Sequence, residues 1–310
     1  MIQFSVVIAV YNKETYLSET LASVLAQSYS NFELIIVNDG STDGSEAVIK
    51  SFLHDTRIKY YPQDNQGAGA ARNAGIQQAT NPYIALLDAD DLWEPNYLAI
   101  QKSLIETYPE QFVFATAQTI LEKGKKYGKK YAVALKPRET AVLNFFDASR
   151  QHAIIHSSSV VIHKDVFTKA GFFDASIMSG QDTDLWIRIG LEYNVVFCNI
   201  SCVIYRLLPG SLFRSTTSIN QKLNPDNYNV QASTRLDLKK YLDLNRFSLA
   251  IQAKLWGETD DFKRLVNGLN PEHLNGKQRL LLQLPKPLLK ASLKVKSALD
   301  SIGFRVSPYS

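Results

Sequence analysis

Three acidic side chains follow a predicted buried strand at residues 83–87, in the stretch Asp88-Ala89-Asp90-Asp91. Carboxylates crowded at one sheet edge repel each other and are costly to desolvate. A divalent cation relieves that cost, and oxygen ligands favour Mg²⁺ or Mn²⁺, which often complete their coordination with substrate phosphates. The acids therefore predict a site that holds a nucleotide diphosphate through a metal. The alternative is a solvated acidic turn before the next helix.

A second chemical signal is the small-residue stretch at residues 65–75, NQGAGAARNAG. Its glycines, Gly67 among them, permit close approach of the backbone to a ligand or tight helix packing. Arg72 stands out there, because an arginine can pair with a phosphate or with one of the acids. The alternative is close helix-to-sheet packing with Arg72 in a salt bridge. The stretch does not match the phosphate loop of P-loop NTPases.

Two further loops follow predicted strands in the first third of the chain. The loop at residues 10–14 joins a strand to a helix, and its backbone N–H groups suit an anion or a nucleobase edge. Asp39 follows the second strand and could accept hydrogen bonds from a base or a ribose hydroxyl. Each loop is equally well read as an ordinary turn.

Asp182 opens a predicted helix at residues 183–191. It either caps that helix or acts as a general base that deprotonates an acceptor hydroxyl. Asp184 and Arg188, four residues apart, predict an ion pair on the helix surface.

Other polar residues of the second half carry weaker signals. The positively charged side chain of Arg206 could contact a diphosphate, or Arg206 could belong to a plain loop. His152 and His156 flank an apolar stretch, and a metal role would require a third partner, so we interpret both as satisfied or exposed histidines.

Strands and helices alternate at short spacing over the first 110 residues or so, which predicts a doubly wound α/β sheet. Ligands bind beyond the carboxyl ends of such strands, so Asn12, Asp39 and Asp88 should converge on one crevice. The middle of the chain predicts strands at 112–121 and 131–135 around a basic Gly-Lys hairpin, residues 122–130. A loop rich in Ser, Thr, Asn and Pro follows at 209–227, and helices then run to the end.

The composition is that of an ordinary globular protein, with 45% hydrophobic and 21% charged residues in 310 and a formal net charge of +4. This charge argues against nucleic-acid binding. Cys198 and Cys202 predict buried free thiols, which suit a reducing compartment. We recognise no signal peptide and no stretch of about 18 apolar residues that could span a membrane. The expected location is cytoplasmic.

Basic residues accumulate in the tail, residues 277–310. Lysines recur every four residues at 286, 290 and 294. The apolar residues that share one helical face are Leu288, Ala291, Val295, Leu299 and Ile302. This pattern predicts either a basic amphipathic helix on an anionic membrane surface or a helix packed on the rest of the protein with solvated lysines.

Taken together, the motifs resemble the family 2 inverting nucleotide-sugar glycosyltransferases. The resemblance rests on VVIAVYN (residues 6–12), VNDGSTDGS (37–45), NQGAGAARNAG (65–75), LLDADD (86–91) and GQDTDLWIR (180–188), and it covers about residues 1–215. It implies the GT-A fold, a Rossmann-like, mostly parallel twisted sheet with helices on both faces. The implied catalytic domain, 1–215, has a nucleotide-binding part (1–110) and an acceptor-binding part (111–215), followed by a helical extension, 216–310.

The resemblance also implies roles for individual residues. Asp90 would bind Mn²⁺ or Mg²⁺, Asp182 would be the catalytic base, and Arg206 is a candidate contact of the diphosphate. Asp39 would contact the nucleobase and Asp88 the ribose. The residues expected around the nucleotide are Ala9, Val10, Tyr11, Asn12, Glu14, Asp39, Gly67, Arg72, Asp88 and Ala89.

The chain departs from the family pattern at two positions. Gln181 stands where a glutamate usually precedes the base, and Leu208 where members often carry a histidine that can bind the metal. The Q-x-x-R-W signature of processive synthases is missing. The expected protein is a distributive transferase that moves a sugar from a nucleotide-sugar, UDP-linked by resemblance, to a glycan or lipid-linked acceptor in surface polysaccharide biosynthesis. A catalytically silent sugar-nucleotide-binding or scaffold protein of the same fold is the alternative.

Overall fold

A computed structural model describes residues 1–208 and 216–301 of the chain. Their strands form one ten-stranded sheet of order β3-β2-β1-β4-β9-β6-β10-β5, with β7 paired to β6 and β8 to β10. The strands are β1 (Phe4–Val10), β2 (Phe32–Asp39), β3 (Ile58–Gln63), β4 (Tyr83–Asp88), β5 (Leu92–Trp93), β6 (Val113–Glu122), β7 (Lys125–Gly128), β8 (Thr140–Leu143), β9 (Val160–His163) and β10 (Val195–Arg206).

Helices cover the sheet and continue beyond it. Those before β10 are α1 (Glu14–Leu25), α2 (Ser45–Phe52), α3 (Ala68–Gln78), α4 (Tyr97–Thr107), α5 (Phe145–Ala148), α6 (Asp165–Ala170) and α7 (Gln181–Glu192). Those after it are α8 (Asn229–Ala232), α9 (Leu236–Trp256), α10 (Thr259–Asn267), α11 (Gly276–Gln283) and α12 (Lys286–Ser301).

The first four long strands are parallel, because β1 pairs with β2 and β4, and β2 pairs with β3. Across these pairs Ala9 lies opposite Asp88, and Val10 lies opposite Asn38. The carboxyl ends of β1, β2 and β4 therefore meet at one sheet edge. The predicted doubly wound sheet and its common crevice are confirmed.

The second half of the sheet introduces antiparallel pairs. Strand β9 runs antiparallel to both β4 and β6, whereas β6 and β10 are parallel. The predicted strand at 131–135 is wrong: Lys123 and Gly124 have φ values of 49° and 77°, and this tight turn lets β7 pair with β6 inside the hairpin itself. Residues 131–135 lie outside the strands.

Helices pack on both faces, as predicted. The residues Phe4, Val6, Ile8 and Val10 share one buried cluster with α1 and α4, whereas Val7 joins the cluster on the opposite face. This alternation is the period of two expected for a strand covered on both sides.

Helix α3 lies unusually close to the sheet. A Cβ atom built on Gly75 would lie 2.4 Å from Cγ1 of Val7 and 3.4 Å from Cγ2 of Val37. Only hydrogen fits there, so the small residues do permit tight helix packing. The same helix carries Arg72 to the sheet edge.

The C-terminal helices share a core with the sheet rather than standing apart. Leu238, Tyr241 and Leu242 of α9 belong to the same buried cluster as Phe145 and Phe146 of α5. Tyr228 donates a 2.5 Å hydrogen bond to Oδ1 of Asp184 on α7. The Asp184–Arg188 pair exists at 2.7 Å, but it is not a surface pair as expected, because Asp184 is buried beneath this contact. The proposed division near residue 215 falls outside the described residues.

Cys198 and Cys202 are buried and free, as predicted. In the described part of the chain, no helix is both long and apolar enough to cross a bilayer.

Replacing Gly75 with alanine should destabilise the fold by about 1–3 kcal/mol, because the added methyl group overpacks the contact between α3 and β1. Denaturant unfolding, read as a shift of the midpoint, measures this. Gly69→Ala in the same helix is the control, since its Cβ would lie at an ordinary 3.5 Å from Phe173. Equal midpoints for the two variants would contradict the tight-packing interpretation.

Candidate active site

Two of the acidic residues at the end of β4 are held by cations, one from helix α3 and one from the loop after β1. Nη2 of Arg72 lies 2.6 Å from Oδ1 of Asp88, and Nζ of Lys13 lies 2.5 Å from Oδ2 of Asp90. Burial alone would raise the pKa of the Asp88 carboxyl, but the positive charge of Arg72, and more weakly that of Lys13, holds this pKa below its usual range. Asp88 is therefore ionised at neutral pH.

Asp91 is the innermost acid of the loop and is fully buried. Its Oδ2 accepts a 2.5 Å hydrogen bond from the Ser158 hydroxyl, and its Oδ1 accepts one of 2.9 Å from the backbone N–H of Arg206. Burial, together with the negative charges of Asp88 and Asp90, raises the pKa of Asp91 well above the ordinary value. The three acids thus lie close enough to repel one another, and Asp91 binds a proton more readily than an isolated carboxyl group does.

The 3₁₀ turn at residues 157–159, just before β9, brings His156 to the same place. One ligand atom each from Asp88, Asp91 and His156 can be chosen so that all three lie within 4.8 Å of one another. Burial lowers the pKa of His156 to about 3, and the positive charge of Lys129 adds to this effect. The ring is therefore neutral, which is the form that binds metals.

The loops after β1 and β2 are tied together beside these acids. Oδ1 of Asn12 accepts a 2.8 Å hydrogen bond from the backbone N–H of Thr42, and Oε2 of Glu14 accepts one of 2.5 Å from that of Gly44. Asn12 has a positive φ of 51° in this connection. Both residues build the wall of the crevice; their contact with a nucleotide stays a prediction.

Asp39 organises the loop that leads into α3. It is 2% exposed and accepts hydrogen bonds from Nε2 of Gln63 (2.7 Å) and from the backbone N–H groups of Gln66 and Gly67 (both 2.9 Å). Gly67 has a φ of 89° and no atom near the position of a Cβ, so its backbone is open on that side. Of the other residues predicted around the nucleotide, Val10 is buried, Tyr11 is 46% exposed, Ala89 is 3% exposed and Ala9 is partly buried.

Asp182 lies in the first turn of α7. Gly180, not Asp182, is the N-cap residue, and Oδ1 of Asp182 accepts a 2.7 Å hydrogen bond from the N–H of Thr183. Burial would lower the pKa of Arg72, but Asp88, and more weakly Asp182 and Asp90, raise it. Asp182 is thus within electrostatic reach of the residues that hold the acidic loop.

Lys129 approaches the site from the hairpin formed by β6 and β7. Its Nζ donates to Oε1 of Gln118 and lies 5.1 Å from the ring centroid of Tyr205. Burial lowers the pKa of Lys129 to about 8, although Asp91 and Asp182 oppose this effect. The crevice therefore contains a third cation besides Arg72 and Lys13.

Arg206 is bound to the protein rather than extended into solvent. Its Nη1 donates a 3.1 Å hydrogen bond to the backbone oxygen of Asp90, its Nη2 pairs with Glu19, and its guanidinium lies 5.5 Å from the ring centroid of Tyr16. These contacts brace the acidic loop. The predicted contact of Arg206 with a diphosphate remains a prediction.

Sequence reasoning missed Lys13, His156 and Lys129 as members of the site. The position of Lys13, one residue after Asn12 at a predicted helix start, was a usable signal. His156 and Lys129 gave none, because antiparallel β9 and the β6–β7 hairpin bring them in from distant parts of the chain.

Comparisons with known proteins agree with this geometry. A family model described as Glycosyl transferase family 2 matches residues 5–171, just over half of the chain. An uncharacterized glycosyltransferase of Rickettsia felis is 34% identical over 195 residues, which make up 62% of this chain and 31% of that protein. Glycosyltransferase GlyA of Streptococcus pneumoniae is 28% identical over 304 residues, 90% of this chain and 43% of that protein. The chain thus spans less than half the length of these two relatives.

Among solved structures, S. aureus TarS 1–349 in complex with UDP-GlcNAc superposes with a TM-score of 0.67 at 17% identity, covering 97% of this chain and 92% of that one. TarS 1–349 alone gives a TM-score of 0.65. At this identity the likeness establishes the fold, which is the predicted GT-A arrangement followed by helices. Because the family model covers more than half of the chain, including the parallel strands and the acidic loop, we conclude that this chain belongs to glycosyl transferase family 2.

Proposed function

We propose that the protein is a metal-dependent, inverting and non-processive glycosyltransferase that moves a sugar from a UDP-linked donor to a glycan or lipid-linked acceptor in surface polysaccharide biosynthesis. The observation that carries this proposal is the convergence of the acidic loop, Arg72 and Lys13 at the carboxyl ends of β1 and β4, with the charge of Asp182 acting on Arg72. In the proposal, these cations would receive a diphosphate and Asp182 would receive an acceptor hydroxyl.

The residues at the end of β4 fit a divalent cation. The carboxylates of Asp88 and Asp91 and the neutral imidazole of His156 lie close enough to share one ion, whereas Asp90 is not in that group. Burial and the negative charges of Asp88 and Asp90 raise the pKa of Asp91, and a cation would balance that negative charge. We assign the cation to this acidic loop, with Asp90 as the ligand that the family resemblance implies and His156 as an additional ligand. His156 would bind through the ring nitrogen that carries no proton. Bound Mn²⁺ or Mg²⁺ would act as a Lewis acid toward the diphosphate.

The protein's own cations have a defined part in this proposal. Arg72 and Lys13 already lie beside Asp88 and Asp90. When a diphosphate enters, both can turn toward its oxygens and stabilise the charge that develops as the sugar leaves.

Asp182 is the proposed base. Oδ1 is held by the N–H of Thr183, which orients the carboxylate. Asp182 would take the proton of the acceptor hydroxyl while that oxygen forms a bond to the anomeric carbon and the bond to the diphosphate oxygen breaks. This direct displacement inverts the configuration at the anomeric carbon.

UDP is the proposed nucleotide. Support comes from the family resemblance and from TarS, a protein of the same fold whose structure contains UDP-GlcNAc. Asp39, beside the exposed backbone of Gly67, is the proposed contact of the nucleobase. The sugar of the TarS complex is not carried over to this protein.

A catalytically silent sugar-nucleotide binder is the alternative, since Gln181 and Leu208 depart from the family pattern. It predicts that the protein binds a sugar nucleotide and metal but releases no nucleoside diphosphate under any condition.

Asp182→Asn should reduce turnover by about 10²–10⁴-fold, because it removes the general base. Release of nucleoside diphosphate from a panel of UDP-sugars with Mn²⁺ is the measurement, and a thermal shift with UDP checks that donor binding is retained. Asp260→Asn, at an exposed position of α10, is the control. Near-normal turnover of Asp182→Asn would refute the assignment, and no release by the wild type would favour the silent binder.

His156→Ala should weaken Mn²⁺ binding at least tenfold, because it removes a proposed ligand. Isothermal titration calorimetry or electron paramagnetic resonance with Mn²⁺ alone measures this without turnover. His152→Ala, at an exposed histidine four residues away, is the matched control. If Asp90→Asn loses affinity while His156→Ala keeps it, the cation is held without the histidine and this part of the proposal is wrong.

The last described helix, α12, supports the proposed contact with an anionic membrane. Leu289 packs inward and is fully buried, whereas Leu288 and Val295 are 57% and 60% exposed. Ala291 is also exposed, as are the lysines at 290 and 294. The predicted apolar face is therefore turned to solvent and flanked by positive charge. Leu299 and Ile302, its other two members, lie outside the side chains that the structure describes.

Changing both Leu288 and Val295 to glutamate should lower binding to phosphatidylglycerol vesicles at least tenfold, because the apolar contact is lost and negative charge is added. Vesicle flotation measures the bound fraction. Leu280→Glu, at a leucine of α11 that is likewise 57% exposed, is the control. Equal flotation of all three proteins would remove the membrane proposal.

A further inference from the structure

The hairpin at residues 122–130, here called the lysine hairpin, has five lysines and a single acid. The lysines are Lys123, Lys125, Lys126, Lys129 and Lys130, and all but Lys129 are exposed. The acid, Glu122, accepts a 2.9 Å hydrogen bond from the hydroxyl of Tyr127. Positive charge therefore dominates this element.

These lysines differ from many others of the protein. Lys50, Lys59, Lys102 and Lys169 each form an ion pair with a glutamate. Among the described residues, none of the five hairpin lysines has a carboxylate oxygen within 4.0 Å. Their charge is thus available to an anion from outside the chain.

The register of the sheet connects the lysine hairpin to the active site. Strands β9 and β7 pair with the same edge of β6. Strand β9 pairs with the beginning of β6, and β7 pairs with its end. The chain after β7 returns to the turn that precedes β9, where the backbone N–H of Lys129 donates to the oxygen of Gln118 at 3.3 Å. Lys129, at the inner end of the lysine hairpin, lies in the crevice, and the hairpin extends outward from it.

The side chain of Lys129 is fixed among residues of the site. The side chain of Gln118, which accepts from Lys129, donates through Nε2 to the Ser159 hydroxyl at 3.1 Å. The ring of Tyr205, beneath the ammonium group, packs 4.9 Å from that of His156. This ammonium is held by a neutral amide and a ring, so it keeps its capacity to bind an anion.

The side-chain chemistry and the length of the lysine hairpin indicate which kind of ligand it binds. A lysine ammonium is a compact point charge that suits phosphate, whereas planar carboxylates favour the arginine fork, and the hairpin has no arginine. Strand β7 spans ~13 Å, which is longer than one phosphate group. Several phosphates along a chain can occupy it together.

We propose that the lysine hairpin binds the phosphate groups of a chain-like acceptor that carries repeated phosphates, with Lys129 as the innermost contact. The inference rests on the proposed function and narrows it, because it assigns the acceptor to a phosphate-bearing polymer. Such an acceptor would lie along β7 and present a hydroxyl near Asp182.

The test measures the binding of a short linear inorganic polyphosphate to the protein. Isothermal titration calorimetry at several salt concentrations gives the affinity. The test variant changes Lys123, Lys125, Lys126 and Lys130 to glutamine. The control variant changes the same number of exposed lysines elsewhere, Lys50, Lys164, Lys169 and Lys263. Both lose four charges, so general electrostatics are matched. Polygalacturonate, dextran and phosphatidylglycerol vesicles serve as carboxylate, neutral and membrane probes.

We expect the hairpin variant to lose at least tenfold in affinity for polyphosphate and the control variant to lose less than about threefold. The slope of log Kd against log salt should fall by about 3 in the hairpin variant only, because fewer counterions are released. Lys129→Gln should cost more affinity than Lys130→Gln, since a charge shielded from water interacts more strongly.

Equal losses in the two quadruple variants would overturn the inference, as would stronger wild-type binding to polygalacturonate or to vesicles than to polyphosphate. Thermal shift of the wild type with UDP and Mn²⁺ reports separately on the proposed function. Its failure would refute the transferase proposal, while loss of polyphosphate binding in the hairpin variant would still establish a phosphate-binding surface.

Discussion

Mutual repulsion of three carboxylates at the end of β4 is the constraint on which the site depends. Asp88, Asp90 and Asp91 lie in one short loop, and each acid has its own partners in the fold. Asp88 is neutralised by Arg72, Asp90 by Lys13, and Asp91 is buried under hydrogen bonds from Ser158 and Arg206. The three acids together strongly favour positive charge at the point where the parallel strands end.

The rest of the fold serves this concentration of charge. The glycine at position 75 lets α3 press against β1, which brings Arg72 to Asp88. The loop after β1 supplies Lys13 and is tied to the loop after β2 through Asn12 and Glu14. Arg206, at the end of β10, holds the acidic loop from the far side. Cations of the protein thus pair with Asp88 and Asp90, which stabilises these acids in the fold.

The two halves of the crevice differ in character. The parallel half presents paired charges and backbone groups that suit a nucleotide, and the mixed half presents His156, Lys129 and Asp182. Because β9 and the lysine hairpin both pair with β6, the proposed acceptor side is built on the same sheet as the proposed donor side. The C-terminal helices pack beneath this half, and Tyr228 binds Asp184 two residues after the proposed base. One continuous core therefore positions the residues of both halves.

The amino-acid sequence alone determined the parallel half, the acidic loop, Arg72 and the placement of Asp182 at a helix start. It could do so because strand, turn and helix signals there are local, and because parallel strands bring their carboxyl ends together whatever their order. The strand predicted at residues 83–87 is accordingly close to the observed β4, Tyr83–Asp88. The partners of the acids were decided only by tertiary structure. His156 and Lys129 reach the site through antiparallel pairings of β9 and β7, and Asp184 is buried by a tyrosine 44 residues away. Such contacts depend on register and packing between distant segments, which residue type and spacing do not encode locally.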